Sequence, residues 1–236
     1  PHYYDKIRLP AESPLRDSMT IMNPMGEDTS IMRTTVLPSM LEILSRNFSY
    51  RNKAARLYEL GRTYFLREDG MADEPKVLSL GAYGQDMDFF SLKGNVEGLL
   101  TALRTDAVTF VPDTENPSYH PGRCAKVLSG GEVIGVLGQI HPLVTANYGI
   151  DTDLYCAELS FDALFRTQGS DPVYVPLPKF PSVNRDIAVV VDREITVGML
   201  EACIFNSAPG LLREVALFDI YTGSQLPEQK KSVAFN

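Results

Sequence analysis

Leu37, Met40, Leu41, Leu44 and Phe48 recur every three or four positions, so residues 36 to about 50 predict an amphipathic helix, with Thr35 as its N-cap and Pro38 tolerated in the first turn. The period then shortens. LYELGRTYF (57–65) reads as a strand, and KVLSLGAY (76–83) pairs with it across the polar turn REDGMADE. After Ser91 the longer period returns: Leu92, Val96, Leu99, Leu100 and Leu103 share one helical face, while Lys93 and Glu97 form an exposed i, i+4 pair. A strand near 107–112 follows. RCAKVLS and EVIGVLGQI are joined by Gly130 and Gly131, a hairpin signal because glycine supplies the positive φ that tight turns need. HPLVTANYGI predicts a short helix opened by Pro142 and closed by Gly149, and LYCAELS (154–160) a further strand.

VYVPLPKFPSV (173–183) spaces its prolines without periodicity and reads as a linker. Beyond it the pattern restarts: DIAVVVD is a strand, VGMLEACIFNSA a helix capped by Thr196, and EVALFDIYTG and KKSVAFN are two more strands. The order β-α-β-β is the first two thirds of a ferredoxin-like domain. The fold class expected is therefore α+β, with an antiparallel sheet and flanking helices over residues 1–176 and an incomplete ferredoxin-like βαββ domain over 177–236. Lacking the closing helix and strand, the chain reads as a fragment of something longer.

Composition narrows the function classes. No stretch approaches a membrane span and the first residues lack the apolar core of a signal peptide, so a cytoplasmic, membrane-free protein is expected. The net charge of −8 argues against a general polyanion binder, and the acid is concentrated between residues 61 and 177. Against that background RNFSYRNKAAR (46–56) stands out, holding Arg46, Arg51, Lys53 and Arg56 with no acid between Glu42 and Glu59. Cys124, Cys156 and Cys203 are odd in number, lack a C-x-x-C pair and sit among apolar neighbours; all three read as buried free thiols.

The densest candidate chemistry lies in NPSYHPGRCAKVLSGGEVIGVLGQIHP (116–142). As a phosphate cradle it fails on order, because such a cradle needs glycines at a strand-to-helix turn, and here Gly130 and Gly131 link two strands. His120 and His141 bracket the hairpin and each precedes a proline, which pushes the histidine into extended backbone at a strand corner. No third ligand stands at metal spacing. Arg123 keeps two readings, a structural salt bridge or a contact to a carboxylate or phosphate partner.

Several strings in order, NPMGEDTSIMRTTVLPSMLEIL (23–44), RLYELGRTYF (56–65), DFFSLKGNVEGLL (88–100), HPGRCAKV (120–127), GVLGQIHP (135–142), KFPSVNRDIAVVVD (179–192) and LFDIYTGSQLPEQKKSVAF (217–235), closely resemble the C-terminal half of the bacterial phenylalanyl-tRNA synthetase β subunit. The resemblance implies a class II synthetase-like antiparallel core followed by a ferredoxin-like anticodon-binding domain. It implies further that the α subunit performs the chemistry, as an α2β2 heterotetramer that charges tRNA(Phe) using ATP and magnesium, with no cofactor held by this chain. Class II cores pair ATP phosphates with an arginine in G-R-x-[YF]-R and a second arginine in a glycine-rich strand-to-helix segment. In this chain GRTYF puts Phe65 at the first position, and AELSFDAL (157–164) puts Glu158 and Ser160 where glycines would stand and Ala163 at the second arginine. Without those guanidiniums a triphosphate has no bidentate partner. Arg62 and Arg67 lie near the first gap.

The resemblance leaves His120, Arg123 and Lys93 as structural or interface residues, and Arg185, Tyr221, Lys230 and Lys231 as tRNA-binding candidates through phosphate contacts and one stacking ring. The expected role is a non-catalytic, structural and tRNA-binding part of the ligase. Two rivals stand beside it: a free-standing class II synthetase paralogue activating a small acid, and a stand-alone RNA-binding module in which Phe48 and Tyr50 stack on bases. No side-chain pocket for an amino acid is identifiable.

Overall fold

The structure, a computed structural model, describes residues 2–174, 176–177, 179–223 and 225–236. The chain divides into two compact units, residues 1–172 and 173–236. The linker stretch 173–183 falls at the start of the second; its Val175 and Pro178 lie outside the described residues, and the remainder contains no helix or strand.

The first unit runs α1 (His2–Lys6), α2 (Leu37–Ser49), β1 (Ala55–Arg62), β2 (Phe65–Leu66), β3 (Ala72–Asp73), β4 (Lys76–Tyr83), α3 (Phe89–Ala102), β5 (Val108–Pro112), β6 (Tyr119–Ser129), β7 (Glu132–Ile140), α4 (Pro142–Asn147), β8 (Leu154–Ser160) and α5 (Phe161–Arg166). Six strands form one antiparallel sheet in the order β1-β4-β8-β7-β6-β5. Alternation along each strand divides the core in two. Cys156 faces a cluster built from Tyr4, Ile7, Leu37, Leu41, Leu44, Val144 and Leu154, under α1, α2 and α4. Its neighbour Ala157 faces a second cluster with Leu92, Val96, Leu100 and Leu164, under α3 and α5.

The helical period at 36–50 folds as α2, but its N-cap is Val36, whose side chain makes no cap. Thr35 sits one residue earlier and its Oγ1 accepts from the Leu37 N–H at 3.2 Å. The second helix starts before Ser91, because the Asp88 carboxylate caps it by accepting from Ser91 N–H at 2.6 Å. The strand from residue 57 stops at Arg62, and the REDGMADE turn tightens into the small β2–β3 hairpin. Helix α1 had no periodic signal over five residues, yet Tyr4 and Ile7 are buried beneath α2.

Two glycine roles explain the motif that looked like chemistry. Gly130 and Gly131 take φ of +56° and +89° at the tip of β6–β7. Gly138 lets β6 come close: a Cβ there would lie 2.5 Å from the Arg123 carbonyl oxygen and 2.9 Å from the Cys124 Cα.

The second unit contains β9 (Ile187–Asp192), α6 (Val197–Ser207), β10 (Leu217–Tyr221) and β11 (Lys230–Phe235), with antiparallel order β10-β11-β9. Thr196 caps α6 by accepting from Met199 N–H. Val233 and Phe235 are buried. Cys124 and Cys156 are buried, but Cys203 is exposed: it lies on the outward side of α6, so apolar neighbours in sequence did not mean burial.

Two glycine substitutions should move stability in opposite directions. Gly138→Ala meets backbone that cannot give and is expected to cost about 1–3 kcal/mol in urea unfolding. Gly94→Ala, inside α3 with open space around it, is expected to stabilise by about 0.5–1 kcal/mol.

Candidate functional site

At one end of the large sheet, on the α2 side, lies a groove of about 470 Å³. Thr34 and Thr35 bring in the entry to α2, Thr63 and Phe65 the chain leaving β1, Lys76 the start of β4, and Glu158 and Ser160 the end of β8. Asp113, Asn116 and Lys126 close the far side.

Glu158 fixes this geometry. Its Oε1 accepts from Thr35 Oγ1 at 2.8 Å and from the Val36 N–H at 3.1 Å, so a strand carboxylate holds the first turn of α2. That end of a helix carries unsatisfied N–H groups and positive partial charge. Burial pushes the Glu158 carboxyl above its ordinary value, opposed by the Thr35, Val36 and Leu37 donors and by the charge of Arg33. Beside it across the β4–β8 ladder stands Ser79, fully buried, with no hydrogen-bond partner for its hydroxyl among the described residues.

No arginine lines the groove among the described residues. Arg62 is paired with Glu74 at 3.2 Å and Arg67 with Asp69 at 2.7 Å. Arg33, which the motif reading passed over, works as a clamp: it donates to Glu59 at 2.6 Å, to Ser39 Oγ at 3.1 Å and to the Arg62 carbonyl at 2.9 Å. Phe65 lines the groove, but Ala163 does not. It is 2% exposed in α5, packed in the cluster on the opposite face of the sheet, because Ser160 caps α5 and turns the chain away.

Lys93 and Arg123 meet in a second groove of about 430 Å³, with Phe89, Phe90 and Phe110. Lys93 pairs with Glu97 and stands 4.4 Å from the Phe110 ring centroid. Arg123 donates to Gln139 Oε1 at 2.6 Å, and Gln139 passes the interaction to Asp153 at 2.8 Å, so its partner is a buried amide. The register that pairs Tyr119 with Ile140 brings His120 and His141 to the same end of β6–β7. Each spends Nδ1 locally, accepting from Gly122 and Leu143 N–H at 3.1 Å. Burial, Arg8 and His120 hold the His141 imidazolium down.

In the second unit, pairing of Tyr221 with Ser232 and of Lys230 with Asp192 puts Tyr221 and Lys230 on one sheet face, and alternation sends Lys231 to the other. Lys230 is bound to Asp192 at 2.7 Å. Arg185 is exposed before β9 and, among the described residues, its side chain donates to the carbonyl of Asn184. Sequence order grouped these four residues, and the sheet separates them.

The model of the phenylalanyl-tRNA synthetase beta chain CLM domain matches residues 1–161. The chain belongs to the phenylalanyl-tRNA synthetase beta chain family. A second model, the ferredoxin-fold anticodon-binding domain, matches residues 178–236. A phenylalanine–tRNA ligase beta subunit of Clostridium tetani is 44% identical, covering 100% of this chain and 30% of that protein. The same-named subunit of Bacillus subtilis is 37% identical over 90% of this chain and 28% of its own length. The chain thus spans less than a third of the curated relatives quoted. Among solved structures, pyrrolysyl-tRNA synthetase from Desulfitobacterium hafniense superposes with a TM-score of 0.55 at 13% identity, over 70% of this chain and 58% of the other, which relates the folds alone. Within the synthetase beta chain family, both the free-standing enzyme and the stand-alone RNA-binding module lose their basis.

Because the folded carboxyl of Glu158 is raised, the stability it contributes is complete below the ordinary value of about 4.5 and is lost as pH rises through the raised one. Glu158→Gln keeps an acceptor for Thr35 and Val36 without a buried charge. Urea unfolding against pH should show this variant with a flatter profile and no loss at pH 7. Glu158→Ala should cost about 1–3 kcal/mol by leaving buried donors unmatched. A Gln variant whose profile overlays that of the parent would refute the assignment.

Proposed function

We propose that this chain is a non-catalytic, structural and tRNA-binding part of a phenylalanine–tRNA ligase β subunit, and that its first unit is a class II synthetase-like core that no longer handles ATP. The observation that carries this reading is the groove: Phe65 and Glu158 line it, and no guanidinium does among the described residues. A triphosphate needs bidentate donors and positive potential. The groove offers two carboxylates, Glu158 and Asp113, beside its two lysines, Lys76 and Lys126, with Lys126 3.9 Å from Asp113, and the helix N-terminus that would attract an anion is already occupied by Glu158. Phe65 and Ala163 are read as the replaced ATP-binding positions, of which Phe65 alone lines the groove while Ala163 is buried on the other face of the sheet.

In this reading residues 1–176 serve as the scaffold and residues 177–236 as the start of the anticodon-binding domain. The α subunit, assembled as α2β2, supplies ATP and magnesium chemistry for charging tRNA(Phe), in the cytoplasm. No helix among the described residues is long and apolar enough to cross a membrane. The groove of Phe89, Phe90 and Phe110 with Lys93 and Arg123 suits a subunit contact, having an aromatic centre and cationic rim. His120 stands just outside it and shapes the corner. On the second unit Tyr221 and Lys230 share a face for RNA, with Arg185 as a further contact before β9 and Lys231 on the opposite face.

ATP titration by calorimetry and ATP–pyrophosphate exchange test the reading on the chain and on the chain with its α subunit. The chain alone should show neither binding at micromolar ATP nor exchange, and exchange should appear with α. Micromolar ATP binding by the chain alone would overturn it.

A further inference from the structure

We propose that the first unit carries an RNA-backbone contact of its own at the corner where α2 turns into β1, made by Arg46, Tyr50, Arg51, Lys53, Arg56 and Tyr58. The inference rests on the tRNA-handling role above but locates part of it away from the anticodon-binding unit.

All four cations are exposed, and none has an ion pair among the described residues. Helix-dipole complementarity accounts only for Arg46, which lies in the last turn of α2. Arg51 and Lys53 lie beyond it in the turn, and Arg56 follows on the face of the edge strand β1 turned away from α2, so a polyanion passing around this edge would neutralise cations that no protein acid pairs. Acid is scarce at the corner. Glu59 is engaged by Arg33 at 2.6 Å, and on the loop after Gly84, which adjoins Ala54, Asp88 is committed to Ser91, leaving Asp86 there and Glu42 one turn before Arg46 on α2.

Two exposed rings alternate with the cations along the sequence. Tyr50 is 75% exposed and Tyr58 79%, on the outward face of β1 two residues after Arg56. Phe48, the other ring in this stretch, is unavailable: it packs edge-on to Tyr83 with centroids 5.9 Å apart. Between residues 46 and 58 these two tyrosines are the only large exposed apolar side chains among the described residues. A protein partner would want an aliphatic or aromatic centre shielded by a polar rim. Separate rings flanked by cations instead match a strand whose phosphates are neutralised while bases stack.

The corner is also preformed. Arg51 adopts a left-handed φ of +60°, with its N–H donating to the Phe48 carbonyl at 2.8 Å. Asn52 bonds back to Asn47 through backbone at 3.2 Å and side chain at 3.0 Å, and its own carbonyl accepts from Tyr83 OH at 3.0 Å. The cations therefore project from a fixed turn, which lowers the ordering cost of binding.

Binding of labelled tRNA(Phe) to the whole chain, followed by anisotropy between low and moderate salt, tests the proposal. The double substitution R51E/K53E should weaken binding at least about tenfold at low salt and reduce the log–log salt slope by about two. Tyr50→Ala should weaken it about fivefold with the slope unchanged, and R51K/K53R should restore binding in a chain of unchanged unfolding midpoint. Lys230→Ala with Arg185→Ala should have the smaller effect. The proposal is overturned if the parent chain shows no salt-dependent binding, if R51E/K53E binds as the parent does, or if that variant loses only α-subunit capture. ATP binding, the readout for the functional reading, is independent of all three.

Discussion

One carboxylate ties the start of α2 to the large sheet. Glu158 stands on β8, the strand flanked by β4 and β7, and reaches 123 residues back along the chain to Thr35 at the start of α2. Helix position follows from that contact. With its first turn held over the sheet, α2 can lay Met40 and Leu44 against Gly81, where a Cβ would come within 2.6 Å of Met40. Leu37, Leu41 and Leu44 then close the larger apolar cluster. A carboxylate withdrawn from water is costly unless matched by donors, and this half-buried one is matched by a hydroxyl and a helix N-terminus.

The same contact decides what the groove is suited to. Anion sites at helix N-termini work because the donors are empty until the ligand arrives. Here the donors belong to Glu158 already, and the nearby guanidiniums are committed to Glu59, Glu74 and Asp69. The groove is walled by strand ends and the Phe65 ring, and the polar groups on its α2 side are turned inward to hold the fold together.

Much of this was legible in the sequence, and the failures are local. Strand and helix order followed from period, because each core strand alternates toward one of two helix layers. The starts of helices were harder. Thr35 looked like a cap and the second helix was placed after Ser91, yet the capping carboxylates came from Glu158, far away, and from Asp88, three residues before Ser91. A lone acid in the apolar run LYCAELS was the available signal for the first, since a carboxylate in a central strand needs partners. Helix α1 is too short to show a period. Ala163 lies off the groove because strand-to-helix register, not motif spacing, sets which face of the sheet a residue reaches. Lys231 was grouped with Lys230 and Tyr221 by proximity in sequence, and pleat alternation parts them.

Strand order carries a further implication for how the chain acquires its shape. β8 lies between β4 and β7 in the sheet but comes last of the six in the chain. Until it arrives, the β1–β4 hairpin and the β5-β6-β7 meander are two separate ribbons, each with an unsatisfied edge. During synthesis the earlier ribbon must wait for some eighty further residues before its partner edge exists, and closure pays loop entropy over that whole span. Sheet completion is therefore a late, non-local step, of the kind associated with slow folding. The nascent first unit is most exposed to wrong pairings in the interval before residues 154–160 leave the ribosome.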